Sequence, residues 1–251
     1  MKKNILIVVL TILVVGLIGY IIYEKETVKD NVKPVKEENK KEIKLSKDEL
    51  NDYLKKVPTA LEINLDTKDA YNGSKMTIND IDDGTLYGTI YMNSEATNDR
   101  PNNMEEYGTI DRCVTKQSFD KVLKSFYNIS KDIDKFSYIS GTVYKKDNYY
   151  CNVIGQGSLE LKKISKLEKY NIDNNNLYIY ETAGFKEEKM GEELSFSIYK
   201  NPKYDDVIGV ESATVSDSDL LNKYASSFGK YKHTFKKDST GNYYWVSTEL
   251  E

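Results

Sequence analysis

The chain begins with its most hydrophobic stretch and is polar afterwards. Ile5 to Tyr23 is an uncharged run of nineteen residues that follows Lys2 and Lys3. At 1.5 Å per helical residue this run spans roughly 28 Å, close to the hydrocarbon thickness of a bilayer, about 30 Å. The run is longer than the apolar region of a signal peptide, and no small-residue cleavage site follows it. Residues 1–23 are therefore predicted to form an N-terminal transmembrane anchor.

The segment after this run has a different composition. More than half of residues 24–44 are charged, and Pro34 interrupts the segment. Such a segment cannot bury enough apolar surface to order itself, so it is predicted to be a disordered linker. The positive charge before the anchor predicts a cytoplasmic N-terminus. Residues 45–251 are then expected to form an extracytoplasmic folded domain.

Three segments of that domain combine a helix-start signal with apolar residues at helical spacing. Each predicted helix starts at a residue whose side chain can cap backbone N–H groups of the first turn: Ser46, Thr115 and Ser216. An apolar residue before each cap can pack against another in the first turn and so fix the direction in which the chain enters the helix. Apolar residues then recur three and four positions apart. The pattern predicts three short amphipathic helices, the first ending before Pro58 and the third at a C-capping Gly229.

Alternating apolar and polar residues around turn-forming residues predict three β-hairpins. Asp, Asn and Gly occupy the turns, where tight hairpins need a positive φ. The predicted arms are Lys75–Ile81 with Thr85–Met92, Phe136–Lys146 with Asn148–Ile154, and Tyr231–Lys237 with Asn242–Thr248. Further strand-like runs lie at Leu159–Ile164, Leu177–Phe185 and Leu194–Tyr199.

These elements predict an α+β fold in which short amphipathic helices pack on a curved antiparallel sheet, the layout of NTF2-like and cystatin-like folds. Two of the hairpins also match in sequence, because Tyr144–Cys151 parallels Phe235–Trp245 with a three-residue insertion. Helix–hairpin repeats are therefore expected near residues 45–92, 114–155 and 215–249. Chance similarity in a chain rich in Lys and Tyr is the alternative.

The C-terminal strands also carry a resemblance to other proteins. The stretch Phe228–Asp238, its continuation Asn242–Ser247 and the run Leu177–Glu181 resemble uncharacterised membrane-anchored proteins of low-GC Gram-positive bacteria. The resemblance covers roughly residues 137–251. It implies a setting in the bacterial cell envelope and brings no established activity.

Charge narrows the classes of partner. The chain has a formal net charge of −4, and beyond residue 42 it holds 28 basic and 34 acidic residues. A mildly acidic domain without a basic stripe argues against nucleic acid and against anionic lipid as its partner. The expected partners are the lipid bilayer, through residues 5–23, and an envelope protein or glycan for the domain.

Cysteine and histidine counts limit the chemistry of the domain. Cys113 and Cys151 are a pair that outside the membrane suggests a disulfide, with two buried free thiols as the alternative. Two cysteines and one histidine do not make a structural zinc site, and no cofactor motif occurs. His233 follows both cysteines, unlike the order in sortase-like transpeptidases, and is expected to be a half-exposed strand residue.

The leading interpretation is a non-catalytic binding or accessory domain on the outer face of the membrane. A cell-wall-directed hydrolase with an acidic dyad and a self-associating structural protein are the alternatives. Aromatic residues of two hairpins are the candidate ligand contacts, and alternate ones must face the core. These candidates are Tyr149, Tyr150, Tyr243, Tyr244 and Trp245.

Overall fold

The computed structural model describes residues 44–58, 75–138, 141–154, 161–189, 194–200 and 207–251. Residues Leu45–Glu251 form one compact unit. The described residues of this unit form four helices and two antiparallel sheets, which confirms the predicted α+β class. In the described ranges no helix is long and apolar enough to cross a membrane. The predicted anchor and all of the predicted linker except Lys44 lie outside those ranges.

The four helices begin at side-chain caps. Ser46, Thr115 and Ser216 are confirmed as caps, because the side-chain oxygen of each accepts a hydrogen bond from the backbone N–H three residues later, at 3.1–3.2 Å. The predicted C-cap at Gly229 is wrong, because the last helix ends earlier and Gly229 opens a strand. The helices are α1 (Lys47–Leu54), α2 (Asp83–Asn93), α3 (Lys116–Tyr127) and α4 (Asp217–Tyr224).

Twelve strands are described, together with 3-10 turns at Ile78–Asp80 and Met104–Tyr107. One group comprises β1 (Met76–Thr77), β7 (Leu161–Asp173), β8 (Asn176–Lys189), β9 (Ser195–Tyr199), β10 (Val207–Ser212), β11 (Gly229–Lys237) and β12 (Tyr243–Leu250). The other comprises β2 (Ala96–Thr97), β3 (Ile110–Thr115), β4 (Lys135–Tyr138), β5 (Gly141–Lys146) and β6 (Tyr149–Ile154).

The first group forms a seven-stranded sheet and the second a five-stranded sheet. The larger sheet has the order β1-β12-β11-β8-β9-β10, and β7 pairs with the other edge of β8. The smaller sheet has the order β2-β3-β6-β5-β4. All pairings are antiparallel.

Two of the three predicted hairpins occur. The hairpin of β11 and β12 is confirmed, and so is that of β5 and β6, which turns at Asp147 with φ 53°. The prediction of one long strand before Asp147 is wrong, because the described residues of that stretch belong to two strands, β4 and β5, which pair with each other.

The first predicted hairpin is wrong, because its second arm is helix α2. Asp82, which the sequence suggested as a turn residue, caps this helix and accepts a hydrogen bond from the Thr85 backbone N–H at 2.9 Å. Every residue from Thr85 to Tyr91 is buried. A helix buried on all sides shows no one-sided apolar stripe, so its Thr, Ile and Tyr residues resemble a strand. The helix–hairpin repeat expected near residues 45–92 is therefore absent from the described residues there.

Two apolar cores lie on opposite faces of the seven-stranded sheet. Side chains of β8 alternate between the faces: Ile179 joins the main core, which also takes residues from α1, α2, α3 and the smaller sheet. Gly184 lies on the other face, where the Phe228 ring leaves no room for a Cβ atom. Phe228 belongs there to a second core with Leu220 of α4. Helices α1 and α4 thus pack on opposite faces of the sheet.

Candidate functional site

Three of the five aromatic residues that were predicted to contact a ligand are buried. Tyr150, Tyr243 and Trp245 are at most 4 % exposed and belong to the main core, so the folded domain cannot offer them to a partner. Tyr149 and Tyr244 are half-exposed. They lie on β6 and β12, in different sheets, so the structure does not unite the five residues into one surface.

Cys113 and Cys151 form a disulfide with an S–S distance of 2.03 Å. The two residues lie directly opposite each other on β3 and β6. Both are buried beside Met104 in a small apolar cluster. The sequence left open whether these cysteines form a disulfide or are free thiols, and the structure has the disulfide. It links residues 38 positions apart, and α3, β4 and β5 lie between them in the chain.

His233 is fully buried, and the expectation that it is half-exposed is wrong. It lies in a chain of side-chain hydrogen bonds that crosses four strands. The Trp245 indole N–H donates to Thr248 Oγ1 at 3.1 Å, and this oxygen lies 2.8 Å from His233 Nδ1. His233 Nε2 lies 2.9 Å from Glu181 Oε1, to which the Lys163 ammonium also donates.

The charges of this cluster follow from its burial and its partners. Burial by itself would raise the pKa of Glu181, but the Lys163 ammonium and the hydrogen bond from His233 hold that pKa well below its usual range. Burial lowers the pKa of His233 by more than the neighbouring carboxylate raises it. A neutral imidazole therefore donates from Nε2 to a carboxylate and accepts at Nδ1 from the Thr248 hydroxyl.

An imidazole beside a carboxylate is a pair that general acid–base catalysis uses. Here the side chains of His233 and Glu181 are each 1 % exposed, so neither reaches a substrate in this conformation. Within the described residues, Glu181 Oε2 has no hydrogen-bond partner. The cluster's evident effect is to tie β7, β8, β11 and β12 together across the larger sheet.

A cleft of about 950 Å³ opens between α1, β7 and α4. Its apolar lining comes from four leucines: Leu50, Leu54, Leu167 and Leu221. Its polar lining combines lysines, amides and hydroxyls with a single carboxylate: Lys47, Asn51, Ser165, Lys166, Glu168, Lys169, Tyr170, Ser218 and Asn222. We call this feature the β7 cleft.

The β7 cleft follows the edge of its strand. Six consecutive residues, Ser165–Tyr170, line it, whereas a cleft on one face of a strand would meet every second residue. Glu168 is an extra residue of β7, because the register passes from Leu167 opposite Glu181 to Lys169 opposite Tyr180. A bulge of this kind bends its strand, and this one lies within the stretch of β7 that lines the cleft.

The two helices beside this edge are fixed by the two apolar cores. On one face, Leu50 of α1 belongs to the main core, against which Leu167 packs. The Tyr170 hydroxyl accepts a hydrogen bond from the Leu45 backbone N–H at 3.0 Å, just before α1. On the other face, Leu220 of α4 packs with Ile164 of β7. The helices therefore flank the strand edge from opposite sides.

Lysines give the β7 cleft a positive rim on an acidic protein. Its described lining includes three lysines and one glutamate. Glu168 pairs with Lys166 at 3.5 Å, and the Lys169 ammonium lies 4.4 Å from the centre of the Tyr180 ring. All the charged side chains of the lining are exposed. The cleft therefore offers a surplus of positive charge to a ligand.

Sequence reasoning missed the β7 cleft. The predicted strand ended at Ile164, because four of residues 165–173 are charged and mask the strand pattern. The signal that could have shown an edge strand is the spacing of Lys162, Lys163, Lys166 and Lys169, since lysines are frequent on unpaired sheet edges.

Neither a metal-binding group nor a similarity to known proteins indicates another functional site in the described residues. In the part of the chain that the structure describes, no group of three or more His, Cys, Asp or Glu side chains could hold a metal ion. No protein-family model, curated protein or solved structure matches this chain.

Proposed function

We propose that the protein is a single-pass, membrane-anchored binding or accessory domain on the outer face of the cell membrane, and that its partner docks in the β7 cleft. The observation that carries the proposal is a cleft of about 950 Å³ with an apolar floor and a polar, lysine-rich rim. Binding sites typically combine such a floor with a few polar groups that orient the ligand.

The membrane setting of the proposal is supported by the sequence. Ile5–Tyr23 has the length and apolarity of a bilayer-spanning helix, and the charged residues 24–44 suit a linker to the domain. The proposed domain layout, short helices on a curved antiparallel sheet as in NTF2-like or cystatin-like folds, is supported by α1 and α3, which pack against the main core together with the larger sheet.

The chemistry of the cleft favours binding over hydrolysis. An acidic dyad needs two carboxyl groups about 5–9 Å apart. Among the described residues that line the β7 cleft, Glu168 is the one carboxylate, and it is paired with Lys166. Lysines, amides and hydroxyls are groups that recognise a ligand through hydrogen bonds and charge.

Filling the β7 cleft is expected to abolish partner capture. Asn51→Trp combined with Asn222→Trp places an indole on the exposed rim of each flanking helix. The full-length chain is solubilised in detergent and affinity-purified from its own cells. The amount of envelope partner that co-purifies with it should fall by about tenfold or more relative to wild type. Quantitative mass spectrometry of the purified material measures this loss.

The control is Lys121→Trp, which places one indole at an exposed position of α3, away from the cleft. This variant should capture the partner as wild type does, and all three proteins should melt at similar temperatures. Equal capture by the cleft-filled and wild-type chains would show that the partner does not dock in the β7 cleft.

A further inference from the structure

We infer that the occupant of the β7 cleft is an extended acidic segment of a partner protein, which adds to the outer edge of β7 as an extra strand. The inference rests on the proposed function and specifies its ligand. Strand addition to an exposed sheet edge obtains affinity from main-chain hydrogen bonds and specificity from alternate side chains.

In the part of the chain that the structure describes, no strand covers the outer edge of β7. β7 pairs with β8 from Leu161 opposite Glu187 to Asp173 opposite Asn176, and with no other strand in the described ranges. In an antiparallel pair, every second residue of an edge strand directs its N–H and C=O groups outward. The cleft thus exposes main-chain donors and acceptors along Ser165–Tyr170.

The dimensions and flanks of the cleft suit an extended chain. At about 3.3 Å per residue, the six residues of β7 that line the cleft span roughly 20 Å, the length of an ordinary strand. Side chains of an added strand would point alternately to the two faces of the sheet. One set would meet Leu50 and Leu54 of α1, and the other would meet Leu221 of α4.

Charge selects an acidic partner over a second copy of this chain. Among the described residues of the cleft lining, Lys47, Lys166 and Lys169 are basic and Glu168 is acidic. If two copies paired through their β7 edges, these lysines would face lysines, and like charges on paired strands destabilise the pairing. A strand with Asp or Glu at alternate positions would instead place its carboxylates against the lysines.

The test uses a fluorescein-labelled peptide of about ten alternating Glu and Val residues, the length of a long strand. It is titrated by fluorescence anisotropy with the full-length protein in phosphatidylcholine nanodiscs. Lys166→Glu combined with Lys169→Glu should weaken binding by about tenfold or more, because attraction becomes repulsion. Lys121→Glu combined with Lys135→Glu makes the same charge change at exposed sites on α3 and β4 and should leave affinity within about twofold.

Amide hydrogen exchange distinguishes strand addition from attachment by side chains alone. The bound peptide should slow exchange within residues 165–170 and leave β10, an edge strand elsewhere in the same sheet, unchanged. Binding without protection of β7, or equal binding of a peptide of alternating Lys and Val, would overturn the inference. A β7-dependent dimer that excludes the peptide would also overturn it, because a second copy would then be the occupant.

The inference can fail while the proposed function stands. If the acidic peptide does not bind but Asn51→Trp with Asn222→Trp still abolishes partner capture, the cleft is a docking site for another ligand. If cleft filling does not affect capture, the proposed function fails, whatever the peptide does.

Discussion

Replacing Cys113 and Cys151 together by alanine is expected to lower the free energy of unfolding by about 4 kcal/mol. The bridge joins residues 38 positions apart, and in the unfolded chain it restricts a segment that includes α3, β4 and β5. Removing it returns conformational freedom to the unfolded state and thereby favours unfolding. Equilibrium unfolding in urea, with the free energy extrapolated to water, measures the change.

Wild-type protein that is unfolded and refolded in a reducing agent is the control. It lacks the bridge but keeps both sulfur atoms, which are buried beside Met104. Its stability should fall nearly as far as that of the double alanine variant, so that the bridge and not the loss of sulfur explains the effect. An alanine variant as stable as the oxidised wild type would contradict the stabilising role of the disulfide.

Glu181→Ala is expected to destabilise the domain by about 3 kcal/mol, the lower end of the range for breaking a buried ion pair. The substitution leaves the His233 Nε2–H group buried without its acceptor and removes the carboxylate that Lys163 contacts. The Lys163 side chain is 21 % exposed, so water can partly hydrate its ammonium group after the substitution. The loss of stability is therefore expected at the lower end of the range. Glu188→Ala, an exposed change on the same strand, should cost less than about 0.5 kcal/mol.

The pH dependence of stability gives this prediction a second readout. The pKa of His233 is lowered from 6.5 and that of Glu181 from 4.5 on folding, so the unfolded chain binds more protons at acidic pH and stability falls as the pH falls. Glu181→Gln keeps a hydrogen-bond acceptor but cannot titrate. Below pH 4.5 its free energy of unfolding should therefore fall less than that of wild type. Identical acid profiles for wild type and Glu181→Gln would contradict the assigned charges.

Local signals in the sequence were sufficient to predict the elements that have apolar residues on one face only. The caps at Ser46, Thr115 and Ser216 act within one turn of the chain, so they could be identified without knowing the fold. The β11–β12 hairpin likewise depends on its own turn residues. Helix α2 could not be identified in this way, because its burial on all sides is a property of the assembled core.

The candidate site was much less predictable. Tyr243 and Trp245 were selected by residue type, but strand alternation and a neighbouring core decide which aromatic side chains are buried. His233 was expected to be half-exposed, because its partner Glu181 lies 52 positions away in the chain and only the sheet register brings the two together. The β7 cleft arises where two helices and a strand from distant segments meet, so no single stretch of sequence encodes it.

Site-specific photo-crosslinking in intact cells can show whether a partner docks in the β7 cleft. A benzophenone amino acid is placed at Asn222 on the rim of the cleft or at Lys121 on α3, both exposed, in the full-length chain. A discrete cross-linked species is expected in the membrane fraction from position 222 and not from position 121. The same species from both positions, or a partner cross-linked from position 121 alone, would contradict docking in the cleft.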